Sequence, residues 1–139
     1  MIELAYSAGL RVSELVKIKV EHLKLDRLML HVPELERNKR TTFFSKYLKD
    51  SLGRQIGAKN IGQYLFPSER GGALTTRAVA KFFKKSLIAS GIKKLATPHS
   101  LRQSFINFRF NQGTDLDAIK NTLGQKITFS TFSDSKKAA

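Results

Sequence analysis

Apolar residues along the chain fall into short periodic groups separated by glycines, prolines and polar turns, and each group predicts one element. Residues 1–8 read as a helix stopped by Gly9. A second helix is expected from about Arg11 to Val20, with Val12, Leu15, Val16 and Ile18 on its apolar side. Asp26 and Arg27 form a turn, Leu28 to Val32 a strand, and Thr41 to Phe44 its antiparallel partner. Between the strands lies a polar, mostly charged tip from Pro33 to Arg40. Lys46 to Ile56 has a helical pattern, and Leu65-Phe66 before Pro67 is a short extended piece. Thr75 is placed to cap a helix to about Ser90 that buries Val79, Phe82, Phe83 and Leu87, with Gly91 ending it. Thr97 caps the next helix, with Pro98 in its first turn and Gly113 after its last residue, Gln112. Asp115 caps a last short helix that ends at Gly124, and structure signals are weak from Lys126 onward. The expected fold class is mainly α with a small antiparallel β-sheet (α+β).

Met1 already stands inside the first helix, whose Ile2, Leu4 and Ala5 find nothing upstream to pack against. Residues 1–139 are therefore expected to form one domain, the C-terminal part of a longer architecture.

The 139 residues are enough for one core, and 41% hydrophobic content argues for a globular fold. With no cysteine, disulfides, thiol catalysis and thiolate metal sites are excluded. No apolar run approaches the roughly 20 residues of a membrane span. Charge changes the picture most: 25 Lys and Arg against 11 Asp and Glu give a net +14. Residues 1–70 hold 13 basic and 8 acidic side chains, whereas residues 71–139 hold 12 and 3. Depletion of acids in the second half suits a surface that faces phosphates. A solvated basic face and an anionic membrane are the alternatives, but no basic amphipathic helix with a Trp or Phe edge supports a membrane.

Three histidines and scattered acids offer neither a multi-His metal site nor a carboxylate pair. Gly71-Gly72 lacks the P-loop lysine pattern and reads as a turn. What remains is Arg, His and Lys, the types that neutralise a phosphate during phosphoryl transfer. Arg11 follows a glycine at a helix start, where backbone N–H groups favour an anion, and it can also pair with Glu14 three residues on. His99 and Arg102, three apart, share a helix face.

Taken in order, these segments resemble the tyrosine recombinases, the phage-integrase and Xer-type family. The matching stretches are LAYSAGLRVSELVKIKVEHL (4–23), ELERNKRTTFFS (34–45), LFPSERGGALTTRAVAKFFKKSL (65–87), TPHSLRQSF (97–105) and GTDLDAIKNTLGQK (113–126). The resemblance implies the family's catalytic-domain fold, with the N-terminal core-binding domain absent from this chain. It implies duplex DNA as partner, a homo-oligomer on DNA, no small-molecule substrate, no membrane, and no metal or other cofactor. It also implies a cytoplasmic location, on the nucleoid in a bacterium. The implied reaction is DNA strand cleavage and rejoining through a 3′-phosphotyrosyl link. Arg11 matches the first family arginine and Glu14 its acidic support, while His99 and Arg102 match the H-x-x-R box. Lys39 is the nearest substitute for the hairpin lysine that acts as leaving-group acid, and Arg37, Arg40, Arg77 and Lys81 are candidate DNA contacts.

Besides the hairpin lysine, the sequence departs from the family pattern at three places. Gln103 and Gln125 stand where the family usually has His, and Gln carries neither a proton nor a charge. The nucleophilic tyrosine is expected eight or nine residues after Gln125, where Phe132 or Ser133 stands; the only tyrosines are Tyr6, Tyr47 and Tyr64. The expectation is thus a site-specific recombinase or integrase domain with impaired cleavage. The alternative is an inactive basic DNA-binding module or an interaction partner of full-length recombinases.

Overall fold

Leu4 and Ala5, with nothing upstream to pack against, are buried in the core at 1% and 5% exposure, so the first helix packs against elements that follow it in the chain. The computed structural model describes residues 1–33 and 40–124. Helix α1 (Ile2–Ser7) leads through Gly9 to a single turn, α2 (Val12–Leu15). A 3-10 turn (Val20–His22) then runs into β1 (Leu23–Lys24), β2 (Met29–Val32) and β3 (Arg40–Phe43). After a second 3-10 turn (Lys46–Leu48) come α3 (Lys49–Ile56), α4 (Thr76–Ala89), α5 (Pro98–Asn111) and α6 (Leu116–Leu123).

The second helix is far shorter than the expected Arg11–Val20. Tertiary pairing takes over its last residues: Ile18 O accepts from Leu65 N at 2.8 Å, Val20 N donates to Gln63 O at 3.0 Å, and Lys19 bridges Tyr64. The strand order is β1-β2-β3, all antiparallel, with Leu23 opposite Leu30 and Val32 opposite Arg40. In β3 the inward positions are Arg40 and Thr42 and the outward ones Thr41 and Phe43, which inverts the usual polar-out pattern. Arg40 is pulled inward by an ion pair, and Thr42 Oγ1 donates to the carbonyl of Ala8 at 3.1 Å.

Helix starts follow the sequence closely. Thr75 Oγ1 accepts from Ala78 N at 3.0 Å, and one Asp115 carboxylate oxygen accepts from Asp117 N and Ala118 N. At the start of α5, Thr97 is the N-cap residue with Pro98 next, but here the Ser100 hydroxyl accepts the Thr97 N–H at 3.0 Å. Helix α4 buries Val79 and Phe83, whereas Phe82 is 48% exposed rather than in the core.

Among the described residues, two apolar clusters form the interior. The larger unites α1, α2, the sheet and α3 around Leu10, Leu30 and Leu65, and each fully buried aliphatic side chain there contributes about 1.5–3 kcal/mol. The smaller is Phe105, Ile106, Ile119 and Leu123 between α5 and α6. They meet at Gly9, between Ala8 and Leu10 of the larger cluster: a Cβ there would lie 2.7 Å from Phe105 and 2.9 Å from Leu123. Gly9 also has φ +62°, a left-handed conformation in which a side chain is strained.

Candidate functional site

The carboxylate of Glu14 is the point on which the matched segments converge. It lies in α2 with its side chain 6% exposed. Its Oε2 accepts the Arg11 backbone N–H at 2.7 Å and a guanidinium N–H of Arg40 at 2.7 Å, and stands 3.7 Å from Arg102 Nη1. Its Oε1 accepts from Arg11 Nη1 at 3.4 Å. Three guanidiniums around one carboxylate give the cluster excess positive charge, and burial makes that charge costly unless hydrogen bonds satisfy it.

Arg11 occupies the N-cap position of α2 and its side chain is 40% exposed. Its backbone N–H is taken by Glu14, so the short helix start does not present that N–H to an anion as the sequence implied. Arg102 is 1% exposed. Its Nη1 donates to Gly9 O at 2.6 Å and its Nη2 to Leu123 O at 3.1 Å. Burial lowers the Arg102 pKa to about 10, and Glu14 opposes the shift while Arg11 and Arg40 add to it; the side chain stays charged at neutral pH.

Arg40 corrects an expectation. A DNA contact needs an accessible side chain, and this one is 5% exposed, bonded to Glu14 and, at 2.6 Å, to the carbonyl of Thr122. No local sign of this stands in the sequence, because the partner Glu14 lies 26 positions away and a basic residue after a charged hairpin tip reads as surface. His99 is exposed in the first turn of α5, one turn before Arg102. Gln103 is half-buried and donates to Asn107 Oδ1 at 3.3 Å. Arg77 and Lys81 are both exposed and four apart on α4, and Lys84, which the sequence reading did not single out, continues that stripe opposite the buried Val79 and Phe83. Arg37, Lys39, Gln125, Phe132 and Ser133 lie outside the described residues. Among the described residues, no group of three or more His, Asp or Glu is placed to hold a metal ion. No helix there is long and apolar enough to cross a membrane.

A family model described as the phage integrase family matches residues 1–131. The chain belongs to the phage integrase family. This integrase-family chain is 33% identical over 135 residues to the tyrosine recombinase XerC of Leptospira interrogans, a match covering 94% of this chain and 43% of that protein. It thus spans less than half the length of that relative. Among solved structures, the XerA recombinase superposes with a TM-score of 0.77 at 24% identity, covering 97% of this chain and 54% of that one. The XerH recombinase bound to its difH substrate also gives 0.77 at 19% identity, covering 99% and 43%. These likenesses establish the tyrosine-recombinase catalytic-domain fold: mainly helical, with a three-stranded antiparallel sheet.

Proposed function

We propose that this chain acts on duplex DNA as the catalytic domain of a site-specific recombinase or integrase, assembling with further copies of itself on the DNA. The observation that carries the reading is the convergence of Arg11 and Arg102, from opposite ends of the matched sequence, on Glu14. Arg11 is the accessible member and neutralises a non-bridging phosphate oxygen; Arg102 supplies charge from beneath, held by two carbonyls. His99, exposed one turn away, donates a hydrogen bond or moves a proton at the same phosphodiester, and Lys39 protonates the leaving oxygen. Arg77 and Lys81 contact the flanking backbone. The DNA-bound XerH complex and the XerC relationship support duplex DNA as the substrate class.

Cleavage itself is impaired on this reading. A phenylalanine has no hydroxyl to attack with, and a serine hydroxyl needs far stronger activation than a phenol, whose pKa is about 10. Gln103 and Gln125 remove two groups that would carry protons or charge.

The test is affinity for a duplex of about 30 base pairs across a salt series, with Arg11→Ala compared to Lys24→Ala on the exposed side of β1. Arg11→Ala is expected to weaken binding about tenfold and Lys24→Ala less than about twofold. Equal affinities for the two variants and the parent chain contradict the site. An SDS-resistant protein–DNA adduct from the unmodified chain contradicts the impairment.

A further inference from the structure

Arg40 holds together parts of the molecule that are distant in sequence. Its Nη2 donates to Glu14 Oε2 in α2 and its Nη1 to the carbonyl of Thr122 in the last turn of α6. Arg102 does the same with the neighbouring groups, donating to Leu123 O and standing beside the same Glu14 oxygen. The final carbonyls of a helix have no partner inside it and carry its negative end, so a buried cation is favoured there. Two arginines thus cap consecutive carbonyls of α6, and both meet the one carboxylate that also fixes Arg11. Among the described residues Arg40 Nε is buried with no hydrogen-bond partner, so the other nitrogens of the fork do the holding.

We propose that Arg40 is a positioning residue for the phosphate-facing arginines: it ties Glu14 to the end of α6 and, through Glu14, sets where Arg11 and Arg102 stand. The inference rests on the function proposed above, since it assigns Arg40 a part in that same site. Two acceptors at fixed directions suit a planar fork, and the single ammonium of a lysine cannot reproduce both bonds. Without the fork, the Glu14 carboxylate is free to turn toward Arg11 or Arg102, and the Thr122 carbonyl loses its donor. Arg40 therefore acts on DNA binding while touching no DNA.

Three roles make different predictions for Arg40→Lys. A phosphate-contacting arginine keeps most of its effect as lysine, because lysine also binds phosphate as a point charge. A residue that only stabilises the fold lowers the unfolding midpoint and leaves the affinity of the folded protein intact. A positioning residue loses affinity as lysine and couples to Arg11. The experiment measures affinity for the duplex of about 30 base pairs, at a temperature where circular dichroism shows each variant folded. It uses Arg40→Lys, Arg11→Ala, Arg77→Ala and the two double variants containing Arg40→Lys. Arg40→Gln is carried in parallel, so the cycle can be completed on either replacement.

Arg40→Lys is expected to weaken binding about fivefold. Combined with Arg11→Ala it adds less than about twofold to the loss from Arg11→Ala alone, whereas combined with Arg77→Ala the two losses multiply. Parent-like affinity of Arg40→Lys overturns the inference, as does full multiplication with Arg11→Ala. If Arg11→Ala itself binds like the parent chain, the proposed phosphate site fails first and the role of Arg40 falls with it. That result is distinguishable, because it appears in the single variant.

Discussion

Arg102 donates a hydrogen bond of 2.6 Å to the carbonyl of Gly9, across 93 positions of sequence. The same glycine takes φ +62° and leaves no room for a Cβ beside Phe105 and Leu123, so one backbone position orients a site arginine and joins two apolar clusters. Gly9→Ala adds a methyl group where 2.7 Å is available, in a conformation that disfavours any side chain. It is expected to lower stability by about 2–4 kcal/mol and, by moving the Gly9 carbonyl, to disturb Arg102. Urea unfolding measures the first effect; a loss under about 1 kcal/mol contradicts the packing described at Gly9.

Along α4, removal of Arg77 and Lys81 together is expected to reduce the slope of log affinity on log salt by about 1.8, since each phosphate contact contributes about 0.9. Both side chains are exposed, so the unfolding midpoint is expected to stay within about 2 °C of the parent. An unchanged slope with a shifted midpoint excludes the helix from the DNA-facing surface.

The helix starts were legible because a cap is a local contract between neighbours: Thr75 and Asp115 accept N–H groups within three residues of themselves, and at Thr97 the hydroxyl of Ser100, three residues on, accepts the cap residue's own N–H. The end of α2 was not, since Ile18, Lys19 and Val20 leave the helical pattern to pair with residues 63–65, a contact that no local window contains. The two-residue strand β1 was missed for the same reason: Leu23 is extended because it faces Leu30. In the site, Arg11, Glu14, His99 and Arg102 were readable as motifs, and the structure adds that Glu14 joins the two arginines. The inward position of Arg40 was hidden, because β3 turns polar residues toward the core and only a distant carboxylate explains why.

Burial lowers the pKa of His22 below its ordinary 6.5, with Lys19 and His31 adding to the shift and Glu21 opposing it. Its Nδ1 accepts the Lys19 N–H at 3.0 Å, a bond that protonation at that nitrogen abolishes. The unfolded chain therefore takes up the proton first as pH falls through about 6.5, and stability declines toward acid. The half-buried ring makes the effect small, on the order of 1–2 °C in the unfolding midpoint between pH 7 and pH 5. His22→Gln is expected to flatten that part of the profile, and an identical acid slope in the variant rules out His22 as its source.

Restoring a tyrosine at position 132 or 133 supplies a phenol but leaves Gln103 and Gln125 in place. The single revertant is expected to form at most a small fraction of SDS-resistant adduct on duplex DNA, rising when histidine is also placed at 103 and 125. Robust adduct from the tyrosine alone contradicts the weight given to the two glutamines.

The shared attachment of Arg40 and Arg102 to Glu14 and to the last carbonyls of α6 also governs how the molecule opens. Elements that share buried charges cannot separate one at a time without stranding an ion in an apolar interior, so α2, β3, the start of α5 and the end of α6 form one cooperative unit. Their amide protons should exchange at a common rate, set by a single opening event, while exposed segments such as the turn at Gly71 exchange on their own.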